Sequence, residues 1–152
     1  MKGILLDVGC GENKLDERFV GMDMRALPGV DIVHNLEDFP WPLDDESCLT
    51  VVGSHIIEHI KPWFMMDFMD EIWRVLLPKG QLALAFPYGT SSGYVQDPTH
   101  CNPCNEATWQ YFDPRFPLYG IYKPRPYSIM HSTWQDNGNM EVVLEKAEVP
   151  SG

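Results

Sequence analysis

The sequence predicts an α/β domain whose sheet is mostly parallel and is closed by an antiparallel hairpin. Short continuous apolar runs, typical of strands that are buried on both faces, recur along the first 90 residues. One amphipathic segment lies between two of these runs. Near the C-terminus, two further runs flank Gln135-Asp136-Asn137-Gly138-Asn139, whose Asn-Gly pair is typical of a hairpin turn. The whole chain, residues 1–152, fits one domain with one core.

The order of the predicted elements supports this fold class. The predicted strands are 3–8, 19–24, 30–34, 48–53, 81–86, 127–134 and 140–147. The predicted helix begins near Pro62 and ends at Pro78-Lys79-Gly80, and its apolar residues Met65, Phe68, Met69, Ile72 and Leu76 recur at helical spacing. A strand, a helix and a strand at this spacing predict a right-handed parallel crossover.

Composition and charge limit the classes of partner. Eleven basic residues against 22 acidic ones give a formal charge of −11, so a nucleic acid is an unlikely substrate. No apolar run is long enough to span a membrane, and the N-terminal residues do not resemble a signal peptide. The four cysteines do not form a disulfide framework, so we expect a cytoplasmic protein.

A glycine turn follows the first predicted strand, in Asp7-Val8-Gly9-Cys10-Gly11. Glycines at this place permit positive φ angles and let a ligand approach the backbone. The dinucleotide fingerprint needs a third glycine three residues after the second, and Lys14 occupies that position. An NAD-dependent oxidoreductase is therefore disfavoured. Asp23 ends the second predicted strand, where a carboxylate can accept hydrogen bonds from both hydroxyls of a ribose.

Five motifs in order resemble those of the class I, Rossmann-like S-adenosylmethionine-dependent methyltransferases, near the small methyltransferase type 11 group. They lie at 5–11, 21–23, 39–47, 54–60 and 74–82. This resemblance implies a three-layer sandwich with a seven-stranded sheet in the order 3-2-1-4-5-7-6, in which strand 7 is antiparallel. Only eleven residues separate Gly11 from Asp23, so we expect a shortened first helix of two turns at most.

The resemblance also implies roles for the matching positions in binding S-adenosylmethionine. Asp7, Gly9, Cys10 and Gly11 would line the methionine end of the cofactor, and Lys14 is placed to pair with its carboxylate or to be a solvated surface lysine. Asp23 would bind the ribose. The remaining implied contacts are Met24 against the adenine ring, Asn35 and Leu36 at the adenine edge, and Ser54 and His55 beneath the sulfonium.

The predicted function is therefore methyl transfer to a small-molecule or protein acceptor. The alternative is a methyltransferase-like domain that binds the cofactor or a partner without catalysis. His55 and His100 are the candidate catalytic residues, because histidine titrates nearest neutral pH and can take a proton from an attacking alcohol or amine. The polar stretch 88–112 follows the fifth strand, and a substrate lid and an ordered structural loop are equally compatible with it.

Two motifs resemble metal sites, but we expect no bound metal. His55-x-x-Glu58-His59 matches the inverted zinc-peptidase pattern, yet it directly follows a strand and needs a third, distant ligand. Cys101 and Cys104 offer two thiolates, whereas a structural zinc site needs four ligands.

Overall fold

The computed structural model describes residues 3–150. The strands are β1 Ile4–Val8, β2 Val20–Asp23, β3 Ile32–Val33, β4 Cys48–Ser54, β5 Leu76–Pro87, β6 Tyr127–Trp134 and β7 Asn139–Lys146. The helices are α1 Met65–Val75, α2 Ser92–Val95 and α3 Tyr119–Tyr122, with 3₁₀ turns at Ile57–His59, Pro62–Phe64 and Glu106–Phe112. None of the helices within 3–150 has the length and apolar character that crossing a bilayer requires.

All seven strands form one sheet in the order β3-β2-β1-β4-β5-β7-β6. The first five strands are parallel to one another, and β7 is antiparallel to both β5 and β6. This arrangement confirms the predicted strand order and the antiparallel seventh strand. The turn between β6 and β7 is also as predicted, because Gly138 has a φ of +89° and its N–H donates to the Gln135 carbonyl oxygen at 3.0 Å.

Helix α1 covers one face of the sheet. Phe68, Met69 and Ile72 are fully buried on the helix, and they belong to one apolar cluster with Val51 of β4 and Leu82 of β5. Burying large apolar side chains of this kind contributes about 1.5–3 kcal/mol each. The crossover from β4 through α1 to β5 is therefore the main source of the core.

The opposite face of the sheet lacks the predicted first helix. Residues 9–19 contain turns and bends, so the shortened helix is not formed. The side chain of Asp16 accepts a hydrogen bond from the Arg18 N–H at 2.8 Å, and such local bonds compete with helix formation. The eight residues between Gly11 and Val20 must also return the chain to the start of β2, which leaves too little length for helical turns.

Without that helix, the second face of the sheet is only partly covered. Val52, Ala83 and Val143 are half-buried and line an open depression of about 470 Å³, together with residues 13–15. The third layer of the predicted sandwich is correspondingly thin on this side.

Helix α1 ends earlier than the sequence predicts. Val75 is its last residue, and β5 begins at once with Leu76. Pro78-Lys79-Gly80 therefore lies in an irregular part of the strand, where the pairing with β4 changes register and Lys79 has a φ of +64°. A side chain at Gly80 would lie 2.8 Å from the Leu77 carbonyl oxygen, so only glycine fits this bulge.

The two edges of the sheet differ in length. β3 contains only two residues, Ile32 and Val33. β6 has eight residues, and its pairing with β7 is irregular between Ile129 and His131.

A buried carboxylate ties the segment after the 3₁₀ turn 106–112 to the hairpin. Asp113 is fully buried and accepts hydrogen bonds from the Arg115 guanidinium at 2.7 Å and from the Ile129 N–H at 2.9 Å. Burial alone would raise the pKa of Asp113, but these hydrogen bonds outweigh it and lower the pKa below its ordinary value. The ionised form of Asp113 therefore stabilises the folded state.

Replacing this carboxylate should destabilise the protein in a pH-dependent way. Asp113→Asn should lower the free energy of unfolding by about 2 kcal/mol at neutral pH, because charge-assisted hydrogen bonds are lost. A carboxylate with a lowered pKa contributes stability above its unfolded pKa of about 3.9 and loses it as the pH falls through the folded value. Urea denaturation should therefore show the difference from wild type narrowing below about pH 4. The exposed Asp136→Asn should match wild type throughout, and a constant difference for Asp113→Asn would contradict this account.

Candidate functional site

A cleft of about 460 Å³ opens at the carboxyl edge of the sheet. Gly9 follows β1, Asp23 ends β2 and His55 follows β4, and all three residues line the cleft. In open parallel sheets, ligands bind at this edge. The rest of the lining is formed by Met24, Arg25, Asn35, Leu36, Glu37, Ile56, His59 and Ile60.

The glycine turn meets the cleft at Gly9. Gly9 has a φ of +67°, and a side chain there would lie 2.7 Å from the Ile56 side chain. Its N–H donates to the Met22 carbonyl oxygen at 2.7 Å, which fixes the turn against β2. Gly11 also has a positive φ, and the only atom near its open side is a guanidinium nitrogen of Arg25 at 3.8 Å. The backbone is thus accessible to a ligand at Gly11 and closely packed at Gly9.

Asp23 is the most buried charged residue that lines the cleft. It is 5% exposed, and its carboxylate accepts hydrogen bonds from the Gly11 N–H at 2.9 Å and from the Arg25 N–H at 2.9 Å. The Arg25 guanidinium lies 3.2 Å away. Burial would raise the pKa of Asp23, but the hydrogen bonds from Arg25 and Gly11 prevail and lower it. Asp23 is therefore an ionised hydrogen-bond acceptor at neutral pH.

The walls of the cleft combine apolar and amide groups. Met24 is 65% exposed beside Asp23, and Leu36 is buried on the other wall. The Asn35 side-chain oxygen accepts the Glu37 N–H at 2.9 Å, so its NH₂ group remains available as a donor. These three residues were all predicted from the sequence.

Five of the predicted cofactor residues do not line the cleft. Gly11 is one of them, although its N–H donates to Asp23, which does. Asp7, Lys14 and Ser54 line the depression on the second face of the sheet. The Asp7 carboxylate accepts the Leu15 N–H at 2.8 Å, and burial raises the pKa of Asp7 more than this bond lowers it. Lys14 pairs with Asp31 at 3.1 Å, so its ammonium is already engaged by a carboxylate. Cys10 is buried and packs against β2, where its sulfur lies 2.7 Å from the position of a side chain at Gly21.

His55 is held in a strained conformation at the cleft. Its φ is +55°, which is unusual for a residue with a side chain, and its N–H donates to the Ala85 carbonyl oxygen at 2.7 Å. Its Nδ1 atom lies 3.4 Å from the Glu58 carboxylate. Strain of this kind persists only when the surroundings determine it, and it is frequent at functional sites.

His100, the second candidate catalytic residue, lies behind His59 rather than on the cleft. The two rings meet edge to face with centroids 4.7 Å apart. His100 Nδ1 is 2.8 Å from the Tyr94 carbonyl oxygen, and the ring also packs against Tyr94. The loop that carries His100 is anchored to the cleft segment, because the Glu58 carbonyl oxygen accepts the Cys101 and Asn102 N–H groups at 3.0 and 3.1 Å.

The two loop cysteines differ in exposure. Cys101 is exposed, whereas Cys104 is buried. Burial and the nearby Glu58 carboxylate raise the pKa of Cys104 to about 12, so it remains a thiol. Neither cysteine is part of a metal-ligand cluster among residues 3–150.

Sequence reasoning missed five residues that line the cleft. They are Arg25, Glu37, Ile56, His59 and Ile60. Arg25 and Glu37 each lie two residues after a predicted cofactor residue, and the other three follow β4 closely. All five residues lie just beyond the carboxyl end of a parallel strand, and this location in the sequence could have identified them.

Comparison with solved structures identifies the fold. No protein-family model matches the sequence, and no curated protein matches it. An S-adenosylmethionine-dependent methyltransferase from Archaeoglobus fulgidus is 15% identical, with a TM-score of 0.67 over 95% of this chain and 86% of that one. YcgJ from Bacillus subtilis is 13% identical, with a TM-score of 0.68 over 97% and 93% of the two chains.

A third similar structure contains bound ligands. It is geranyl diphosphate C-methyltransferase from Streptomyces coelicolor A3(2), solved with Mg²⁺, geranyl diphosphate and S-adenosyl-L-homocysteine. It is 13% identical, with a TM-score of 0.67 over 96% of this chain and 73% of that one. With the strand order and the antiparallel seventh strand, these similarities show that the chain has the Rossmann-like fold of the class I S-adenosylmethionine-dependent methyltransferases.

Proposed function

We propose that this protein is an S-adenosylmethionine-dependent methyltransferase that binds its cofactor in the cleft beyond β1, β2 and β4. The observation that carries the proposal is the ionised Asp23 carboxylate, which ends β2 beside a glycine turn. The fold shared with known methyltransferases supports it. The glycine turn adjoins the cleft through the hydrogen bond from Gly11 to Asp23, and the backbone at Gly11 is open where a side chain would otherwise stand.

The ribose is proposed to bind at Asp23. Two hydroxyl groups would donate to its carboxylate, which now accepts from Arg25 and the Gly11 N–H. The Arg25 side chain is 64% exposed, so its ion pair with Asp23 contributes little and can be exchanged for the ribose at small cost. The methionine end would lie along the glycine turn, and its carboxylate would need a partner other than Lys14, which Asp31 engages.

The adenine is proposed to bind between Met24 and the wall formed by Asn35 and Leu36. The exposed Met24 thioether is flexible and polarisable, which suits contact with an aromatic ring. Because the Asn35 oxygen is engaged by the Glu37 N–H, its NH₂ group would donate to a ring nitrogen of the adenine.

Bound in this way, the cofactor would supply a sulfonium methyl group, to which an acceptor lone pair bonds as the carbon–sulfur bond breaks. The protein mainly aligns the two partners and excludes water. His55 directly follows β4 and lines the cleft, so it is proposed to lie beneath the sulfonium, whereas Ser54 lines the depression on the second face of the sheet. If the acceptor carries a proton, the His55 imidazole is the proposed base, since it lines the cleft and Glu58 orients its Nδ1 atom.

The proposed acceptor is a small molecule or a protein. The net charge of −11 disfavours a nucleic acid. The loop from 88 to 104 is proposed to border the acceptor side, because it is anchored to Glu58 next to the cleft.

A second candidate is a domain that binds the cofactor or a partner without catalysis. The missing first helix favours it, because the second face of the sheet is only partly covered. Conversion of methyl-labelled S-adenosylmethionine to S-adenosylhomocysteine distinguishes the two candidates.

The first prediction of this proposal concerns Asp23. Asp23→Ala should weaken the binding of S-adenosylmethionine and S-adenosylhomocysteine by about ten- to a hundredfold, because a charge-assisted hydrogen bond worth about 1.5–3 kcal/mol is lost. Isothermal titration calorimetry measures this, with the exposed Asp44→Ala as the matched control. Tighter binding of NAD, or no heat with either ligand, would exclude the proposed cofactor.

The second prediction concerns the proton acceptor. With an acceptor that loses a proton, His55→Ala should lower turnover about 10²-fold or more, which is the usual contribution of a general base. His131→Ala, which changes an exposed histidine on β6, should leave turnover unchanged. The measurement is S-adenosylhomocysteine formation with a panel of small-molecule and protein acceptors. Wild-type turnover in His55→Ala would mean that the protein acts by alignment alone.

A further inference from the structure

Folding brings a third ligand to the His-x-x-Glu-His motif. One ligand atom from each of Glu58, His59 and His100 lies within 4.8 Å of the other two. The sequence separates His100 from His59 by 41 positions, so the motif alone does not show this cluster. We propose that Glu58, His59 and His100 bind a divalent transition-metal ion such as Zn²⁺ at the border of the cleft. This proposal replaces the expectation that the segment holds no metal.

The Glu58 carboxylate is the strongest evidence that the cluster receives a cation. Glu58 is 2% exposed, and within the described range 3–150 its Oε1 atom has no hydrogen-bond partner. Its other oxygen, Oε2, lies 3.4 Å from His55 Nδ1. A buried carboxylate oxygen without a partner costs free energy, because the desolvation of its charge is not compensated. A metal ion bound at Oε1 removes this cost.

The hydrogen bond that His100 forms through Nδ1 leaves its Nε2 atom available to a metal ion. Its Nδ1 atom lies 2.8 Å from the Tyr94 carbonyl oxygen, which can only accept, so Nδ1 is the protonated nitrogen. In the neutral ring, Nε2 therefore has the free lone pair. Metal-binding histidines are typically oriented by such a bond from their other nitrogen. Nε2 lies 3.4 Å from an Asp97 carboxylate oxygen, so a second acidic group adjoins the cluster.

His59 is oriented by a similar but longer contact. Its Nδ1 atom is 3.4 Å from the Thr99 hydroxyl oxygen, and that hydroxyl donates its proton to Asp97 at 2.7 Å. The oxygen of Thr99 is thus free to accept from His59. The chain from Asp97 through Thr99 to His59 resembles the outer hydrogen bonds that fix metal ligands.

The backbone holds the two ligand segments together. The Glu58 carbonyl oxygen accepts hydrogen bonds from Cys101 and Asn102, and the Asn102 side chain donates to the Ile57 carbonyl oxygen at 3.1 Å. These bonds place His100 beside Glu58 and His59 whether or not an ion is bound. The proposed site is therefore largely preformed.

The donor set determines the class of ion. Two imidazoles and one carboxylate favour Zn²⁺ and neighbouring divalent transition metals, whereas Ca²⁺ and Mg²⁺ prefer oxygen ligands alone. Three protein ligands also leave a coordination position for water or for a heteroatom of another molecule. His59 also lines the cleft, so the ion would lie where an acceptor approaches. That use of the ion depends on the proposed function, whereas binding of the ion does not.

The test is calorimetric titration of the metal-stripped full-length chain with ZnCl₂ in the absence of cofactor. Wild type should bind one equivalent. Glu58→Gln and His100→Ala should each bind at least about tenfold more weakly, because each removes a ligand. His131→Ala and Cys101→Ser should bind as wild type does, since neither residue belongs to the cluster. Titration with Co²⁺ followed by visible absorption reports on the ligand set independently.

Thermal unfolding distinguishes a variant that has lost a metal ligand from a variant that no longer folds. Zn²⁺ should raise the Tm of wild type, and Glu58→Gln should fold yet show no such rise, because glutamine keeps the shape of the side chain without the charge. If either variant fails to fold, His59→Ala replaces it in the same titration. Stoichiometric binding that survives in all cluster variants, binding lost only in Cys101→Ser, or no binding by wild type would each overturn the proposal. Cofactor binding by wild type without Zn²⁺ binding would leave the proposed function standing.

Discussion

The cleft depends on the close approach of β1 and β4 around one side chain, Ile56. A side chain at Gly9 would lie 2.7 Å from Ile56, and one at Gly53 would lie 2.8 Å from it. Because both positions are glycine, the ends of two parallel strands can pack onto the same isoleucine. This packing directs the glycine turn and His55 to one edge of the sheet. The groups that β1 and β4 contribute to the candidate site are therefore positioned by it.

Much of the fold could be predicted because its signals are local. The apolar runs indicated the strands, and the Asn137-Gly138 pair indicated the hairpin, since both depend on neighbouring residues alone. The strand order came from resemblance of motifs rather than from physical reasoning on the residues. Among the predicted cofactor residues near the ends of β1, β2 and β4, Gly9, Asp23 and His55 line the cleft. The rule that parallel strands meet at one carboxyl edge explains this agreement.

The features that the sequence did not predict have a different physical origin. A shortened helix between Gly11 and Asp23 was predicted from length, but the side chain of Asp16 forms a local turn instead. Lys14 was expected either to pair with the cofactor carboxylate or to be a solvated surface lysine, and its ion pair with Asp31, seventeen positions later, was not foreseen. The proximity of His100 to Glu58 depends on backbone hydrogen bonds between distant segments. Such contacts have no periodicity or spacing in the sequence, so only the folded structure shows them.

The unequal edges of the sheet bear on self-association. An exposed strand edge is a template for pairing with another chain, and long regular edges carry the greatest risk. β3, with two residues, offers too few backbone groups for such pairing. β6 is longer, but its irregular register between Ile129 and His131 bends the edge, which interrupts a continuous ladder. Neither β3 nor β6 therefore presents the long, regular row of backbone groups that fibril-like growth requires.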